Sequence, residues 1–529
     1  MPESQDIRFI GFGGTTEVGR SCYLIFDDED KVLVDCGIKL MSDEPTQVPE
    51  GVLDHARDLK TVLLTHAHMD HSGFIPALYH HGYEGKVHLT QPTADLIRIL
   101  WPDSLKIEGP VNWDHQDMQT AFNNCEAHAY QEEIRISEGI TARFFNAGHI
   151  IGSASCLLRW RGVNIFHTGD FSSTGSLIHD PAAIPEDIDI DILITETTYA
   201  GKQISSLRSI RRKLRSLVLE VGEKKSKLMI PAFATGRSQL IEFLLARLDI
   251  KTPIYLDGMI RQTNRIYSRY FNEPWISKDL IAWASANMIR DDPFSPDIFT
   301  PIDPRKLGLS EKPRKEIMAS SEPAIIVTTS GMLSGGAILS YLRFGGGDNK
   351  NILVFTGYQA EGTLGREILN GRRDLLLRDL KGEEHPLQLE ARIEFLELSG
   401  HTDHSSLCTY IRNINPSRII LIHGEPDNQT KLIKSLNKDF PDIIQVERNK
   451  EISISKTTAE YITLKGHIAL EWRSLRQKLS LSDLELANLL LQRFESKQVI
   501  YSQAFQNIDT IQSQLKNLKD ILSSKSNVE

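Results

Sequence analysis

One stretch constrains this chain more than any other. It is Thr65-His66-Ala67-His68-Met69-Asp70-His71-Ser72-Gly73, placed directly after the apolar, β-branched run Thr61-Val62-Leu63-Leu64. The run reads as a buried strand. Side chains two apart on an extended segment point the same way, so His66 and His68 converge on one point. Asp70 and His71 come after the turn and face a second point close by. Three imidazoles and a carboxylate in six positions suit a pair of borderline metal ions, zinc above all. A loop that merely contains histidines has no need of this spacing behind an apolar strand.

Other strand-like runs end in the same kind of residue. Val32-Leu33-Val34-Asp35-Cys36-Gly37 ends in a carboxylate, either a turn aspartate or one that orients a ligand histidine and fixes its tautomer. The downstream cluster favours the second role. Phe144-Phe145-Asn146-Ala147-Gly148-His149 and Ile165-Phe166-His167-Thr168-Gly169-Asp170 deliver a histidine and an aspartate to glycine-bearing loops. Together they suggest His66, His68 and His149 on one ion, Asp70 and His71 on the other, and Asp170 between them. The parity of His167 opposes that of the loop ligands and makes it a core histidine. Ile192-Leu193-Ile194-Thr195-Glu196 presents another carboxylate. Active sites of α/β folds are commonly built on such strand ends. The glycine-rich Gly11–Gly19 stretch superficially suggests a dinucleotide fingerprint, but a strand rather than a helix follows it. Its glycines are read as tight-turn residues.

From about residue 201 the texture changes. A basic helical stretch, Leu207–Arg215, leads into strand cores at Leu228–Pro231, Pro253–Leu256, Ala324–Thr328 and Ile352–Phe355, with helices such as Arg237–Leu248 between them. This βαβ texture implies a parallel sheet with its own core. The basic stretch suits a solvated helix face as well as a phosphate-tracking surface. Three turns at strand ends can present backbone N–H groups to anions: Pro231–Arg237, Ser330–Gly336 and Gly357–Thr363. Arg237 also suits a phosphate. The first texture then returns, with runs ending at Ser399-Gly400-His401 and at His423, while His404 reads as a surface helix residue. An insertion whose two ends meet at the metal site explains the long gap between Asp170 and His423. We therefore expect residues 1–200 and 391–465 to make one domain, 201–390 an inserted one, and 466–529 a helical extension. Ile508, Ile511, Leu515, Leu518 and Leu522 form a short heptad seam there, able to dock on the body or on a second copy.

Composition narrows the class. The 529 residues are 40% apolar and 25% charged, as in ordinary globular chains. A net charge of −10 disfavours a protein that coats nucleic acid, yet leaves a nuclease open, since divalent ions invert the local field. The five cysteines contain no C-x-x-C pair, the first residues are polar and acidic, and no apolar run is long enough to cross a bilayer. A cytoplasmic protein with no membrane association is expected.

The ordered set resembles the metallo-β-lactamase superfamily, and within it the β-CASP nucleases. Asp35, His66/His68/Asp70/His71, His149 and Asp170 match the first four motifs, Glu196 in Glu-Thr-Thr-Tyr the acidic motif, and His401 and His423 the late histidine motifs. The match spans roughly residues 7–465. The chain looks most similar to the branch holding the endonuclease subunit of the eukaryotic cleavage and polyadenylation factor and its prokaryotic relatives, with RNase J next. A first strand near residue 7 leaves no room for the N-terminal KH domains of many archaeal relatives.

The resemblance implies an α/β fold: a metallo-β-lactamase αββα sandwich, an inserted parallel-sheet β-CASP domain and a short helical C-terminal extension. It implies two Zn2+ per chain, with His66, His68 and His149 on the first, Asp70, His71 and His423 on the second, and Asp170 on both. A water activated by the metals would cleave single-stranded RNA to 5′-phosphate and 3′-hydroxyl ends. Asp70, His401 and Glu196 are the expected catalytic residues, His401 as general acid oriented by Glu196. Arg237, Ser330, Gly331, Ser399 and Gly400 are expected at the substrate, and Asp35 behind the ligands. A histidine at position 423 points to RNA rather than DNA. The inserted domain and the Glu196–His401 pair argue against a small-molecule metallohydrolase, and the intact ligand set against an inactive scaffold. Endonuclease and 5′-exonuclease modes both remain open, as does a homodimer through the inserted domain or the terminal helix.

Overall fold

Runs such as Cys22–Phe26 and Ile192–Glu196 are buried along their whole length. Apolar, β-branched sequence buried on both faces is what interior strands require. The computed structural model describes residues 6–455 apart from 40–46, 109–111, 249, 288–293, 295–297, 303–310 and 361. Two compact units are present, residues 9–452 and a second made of 1–8 with 453–529. The fold described below is that of the first unit. The terminal heptad seam lies outside the described residues.

Six neighbouring strands of a first sheet follow in chain order: β1 (Arg8–Gly13), β2 (Cys22–Phe26), β3 (Lys31–Cys36), β4 (Thr61–Leu63), β5 (Lys86–Thr90) and β6 (Cys125–His128). From β3 to β6 the pairing is parallel. The next five strands are β7 (Ile134–Ser137), β8 (Ile140–Asn146), β9 (Ala154–Trp160), β10 (Val163–His167) and β11 (Ile192–Glu196). The inserted region supplies β12 (Lys227–Pro231), β13 (Ile254–Asp257), β14 (Thr300–Pro301), β15 (Ala324–Thr328), β16 (Ile352–Phe355), β17 (Asp374–Arg378), β18 (Glu384–Gln388) and β19 (Arg392–Phe395). Strands β20 (Arg418–Ile422) and β21 (Ile443–Gln445) then join β11, so the second sheet runs β21-β20-β11-β10-β9-β8-β7.

The first two sheets stack face to face. Tyr23 of β2 meets His167 of β10 with ring centroids 5.2 Å apart, and Trp160 Nε1 donates to Asp27 Oδ2 at 2.8 Å. Helices Ile75–His80 and Gln91–Glu108 share the core of the first sheet, while His404–Ile414 and Pro426–Leu436 share that of the second. This is an αββα sandwich. The inserted sheet, β14-β13-β15-β12-β16-β19, is parallel throughout.

One boundary differs from expectation. The return to the first fold was expected at residue 391, yet β19 pairs with β16 from Ile352↔Arg392 to Phe355↔Phe395 and is the last strand of the inserted sheet. A strand's alternation shows that it has two faces, but its partner is chosen by packing far away in sequence. Among the described residues no helix is long and apolar enough to cross a membrane.

Because β3, β4, β10, β11 and β20 belong to parallel arrays, their C-terminal ends lie at one rim of the sandwich. Those ends carry Asp35, the 65–71 segment, Asp170, Glu196 and His423.

Candidate metal centre and active site

After β4 the chain stays extended through His68 and then winds one helical turn, Met69–Ser72. That turn is wedged against Gly37. A Cβ there would sit 1.9 Å from the carbonyl oxygen of Asp70, so only glycine permits the approach. Ile38 N donates to Met69 O and Ser21 N to Asp70 O, at 3.0 and 2.7 Å. The turn thus holds Asp70 and His71 opposite His66 and His68.

Three imidazole nitrogens converge. His68 Nδ1 is 3.1 Å from His66 Nε2 and 3.3 Å from His149 Nε2. A tetrahedron with Zn–N bonds of about 2.0–2.1 Å has edges of about 3.3 Å, so the donors fit such an ion. Burial holds His66 and His149 well below the ordinary imidazole pKa and His68 at about 4. All three are neutral and offer lone pairs. A second group, Asp70, His71 and His423, also has donor atoms within 4.8 Å of one another. Asp170 reaches both groups: its Oδ2 is 3.3 Å from His71 Nε2 and 3.8 Å from His66 Nε2, and its Oδ1 is 3.2 Å from His423 Nδ1. Burial works to raise the pKa of Asp170, but the facing histidines outweigh it and hold the carboxyl well below its usual range.

The surrounding groups fix tautomers. Asp35 Oδ2 takes the Nδ1 proton of His71 at 2.7 Å, and its two oxygens also accept from Thr65 N and Thr65 Oγ1, both at 2.8 Å. His149 Nδ1 donates to Gly400 O at 2.8 Å, which turns Nε2 toward His68. Asp35 and His423 both hold left-handed backbones, at φ 60° and 47°. Strain at two non-glycine positions facing one centre is the pattern of a site whose surroundings over-determine it.

His401 sits beside the metal-ligand groups. Its Nδ1 donates to Glu196 Oε1 at 2.8 Å, and Glu196 is further held by Phe171 N and Thr198 N, each at 3.1 Å. Burial opposes a charge on His401, yet the carboxylates of Glu196 and Asp170 win and raise its pKa. Ser399 Oγ accepts from His401 N at 3.0 Å, fixing the Ser399-Gly400-His401 turn. His401 also lies in a group with His149 and Asp170 close enough for a metal.

The inserted domain closes over this rim. Phe233 faces His68 at 6.5 Å between ring centroids, Gly331 packs against the Phe233 backbone, and Arg237 lies over the Phe233 ring at 4.9 Å. Arg237 makes no ion pair among the described residues. Ser330 is turned to its own loop, donating to Gly335 O at 3.2 Å. His167 is buried in the core and accepts from Gly169 N at 3.0 Å, while His404 opens a helix and accepts from Gly201 N at 2.9 Å.

Sequence reading missed several contacts. Ser21 Oγ is 3.3 Å from His71 Nε2, Thr198 Oγ1 is 3.0 Å from His423 Nδ1, and Tyr199 stacks on His401 at 5.9 Å. The Gly11–Gly19 stretch also proves more than a turn: His423 N donates to Gly14 O at 2.6 Å, and Gly19 N lies 3.3 Å from His423 Nε2. The Glu-Thr-Thr-Tyr run was the one available signal for Thr198 and Tyr199.

Comparison with known proteins decides the family. The Beta-Casp domain model matches residues 239–368, the Zn-dependent metallo-hydrolase RNA specificity domain residues 386–447, and that of the anti-Pycsar protein Apyc1 residues 6–225. An RNase J-like protein of Methanocaldococcus jannaschii is 36% identical over 78% of this chain and 91% of its own length. The chain belongs to the β-CASP family of metallo-β-lactamase RNA nucleases. Other β-CASP relatives are named transcription termination factor FttA: that of M. jannaschii is 34% identical over 79% of this chain and 67% of its own length. That of Pyrococcus abyssi is 32% identical over 83% and 70%. A crystal structure of a protein of unknown function from Enterococcus faecalis V583 shares the fold, with a TM-score of 0.52 at 13% identity over 85% of this chain and all of its own. Family membership makes this β-CASP chain a hydrolytic nuclease.

Proposed function

We propose that the chain is a two-zinc ribonuclease that cuts single-stranded RNA internally, leaving 5′-phosphate and 3′-hydroxyl ends. His66, His68 and His149 would hold one ion, Asp70, His71 and His423 the other, and Asp170 would lie between them. Bound there, divalent ions supply Lewis acidity that activates water and offsets phosphate charge. The chain's own residues do the rest. Asp35 and the Gly400 carbonyl keep His71 and His149 in the tautomers that bind metal. Glu196 keeps His401 protonated, and His401 gives that proton to the departing 3′-oxygen. Arg237 receives a phosphate from the side of the inserted domain. Residues 1–200 with the segment after β19 make the hydrolase fold, and residues 201–395 the insertion.

The observation that carries this reading is the His401–Glu196 hydrogen bond beside two donor groups joined by Asp170. A proton donor set next to such a centre suits a reaction with a poor alkoxide leaving group. The similarity to an RNase J-like protein favours a second reading, 5′-exonuclease action. Circular and linear RNA separate the two. Cleavage of the circle supports the internal mode, while an intact circle with degraded 5′-phosphorylated linear RNA overturns it in favour of the exonuclease. The same assay with single-stranded DNA should give no products, and 3′-phosphate ends would refute the mechanism. The FttA-named relatives make nascent transcripts the first natural RNA to test.

A further inference from the structure

Outside this centre, β5 and the edge strand β6 carry another cluster of metal-ligating side chains. His88 and His128 are both buried, and His88 Nδ1 faces His128 Nε2 at 2.9 Å. Glu126, on the same face of β6 as His128, brings Oε1 to 3.8 Å from His128 Nε2. Donor atoms of the three lie within 4.8 Å of one another.

The supporting groups favour a cation. Glu132 Oε1 is 3.1 Å from His128 Nδ1, and Ala129 N donates to the other Glu132 oxygen at 2.9 Å. That carboxylate takes the Nδ1 proton and leaves a lone pair on Nε2, aimed at His88. Two imidazoles meeting nitrogen to nitrogen in a hydrogen bond use only one lone pair between them, whereas an ion takes one from each. The half-exposed Glu126 can swing in to supply charge. A carboxylate–histidine–metal arrangement of this kind is how proteins orient imidazole ligands.

We propose that His88, His128 and Glu126 form a metal site separate from the catalytic centre, for a divalent ion of the zinc class, with Glu132 orienting His128 and water completing the shell. Its place in the fold gives it a bracing role. Thr90, at the end of β5, donates to Gly152 O at 2.6 Å, and Tyr130, just past β6, donates to Ser153 O at 2.8 Å. Ser153 Oγ in turn accepts from His149 N at 3.1 Å. An ion clipping β5 to β6 steadies both anchors of the loop that carries His149.

The test counts zinc rather than activity. The full-length chain is stripped with chelator, equilibrated at buffered free Zn2+, and its bound zinc measured by mass spectrometry. The double variant His88→Gln, His128→Gln should bind one zinc fewer per chain than wild type, and equal stoichiometry overturns the site. Should that variant fail to fold, Glu132→Gln is read instead, at a half-exposed carboxylate. It should weaken one zinc-binding step by about tenfold or more, and an unchanged isotherm overturns the proposal. Because no RNA is used, failure here is distinct from failure of the ribonuclease reading.

Discussion

His401 and Glu196 are 205 positions apart, and yet His401 Nδ1 and Glu196 Oε1 are joined by a 2.8 Å hydrogen bond. The two residues reach the same rim from different strand ends, and the carboxylate raises the pKa of the imidazole against the effect of burial. His401→Ala should therefore lower the RNA cleavage rate by about 10²–10⁴-fold while bound metal, measured on the same preparation, stays at the wild-type level. A parallel fall in metal content would make His401 a ligand with His149 and Asp170 instead of a proton donor.

Asp35 tests the support behind the ligands. It holds His71 and Thr65 through three hydrogen bonds and is fully buried. Asp35→Asn should weaken metal affinity by about 10–100-fold, read as a shift in the chelator concentration that inactivates the protein. Asp70→Ala should go further and remove metal at saturating supply. Unchanged stoichiometry there would refute a second ion.

Gly37 tests the wedge. Gly37→Ala places a methyl group against the Asp70 carbonyl, and backbone on that side cannot swing away as a side chain would. The variant should fold, since the clash is local, but lose metal and activity together. Circular dichroism and metal analysis of one sample check both halves.

His179 gives a pH signature away from the candidate metal centre. It is buried, with Nε2 3.1 Å from the Tyr267 hydroxyl of the inserted domain, and burial lowers its pKa to about 3. The unfolded chain binds that proton near pH 6.5, so protonation favours unfolding. Its contribution to stability is whole above about pH 6.5 and falls by about 1.4 kcal/mol per pH unit as pH drops toward the folded value. His179→Gln should flatten the loss of stability between about pH 6 and 4 in denaturant titrations. An unchanged slope would refute this role.

Much of the site was legible because its signals are local. His66, His68, Asp70 and His71 fall within six consecutive positions shortly after a strand whose apolar run announces itself, and Asp35, His149, Asp170, Glu196 and His423 each follow another such run. The contacts of Ser21, Thr198 and Tyr199 were not legible. Hydroxyls and rings are common in turns, and only the closing of distant strands turns these toward His71, His423 and His401.

By itself, then, the sequence determined which residues are offered at the rim, since hydrophobic periodicity sets strand ends and strand ends set which side chains face outward. The tertiary structure alone decided how they combine. The partner of β19, the hold of Gly14 and Gly19 on His423, the reach of Glu196 to His401 and the meeting of His88 with His128 all depend on pairing and packing between remote segments. Those choices are made by the burial of whole faces, a quantity that no short window of sequence contains.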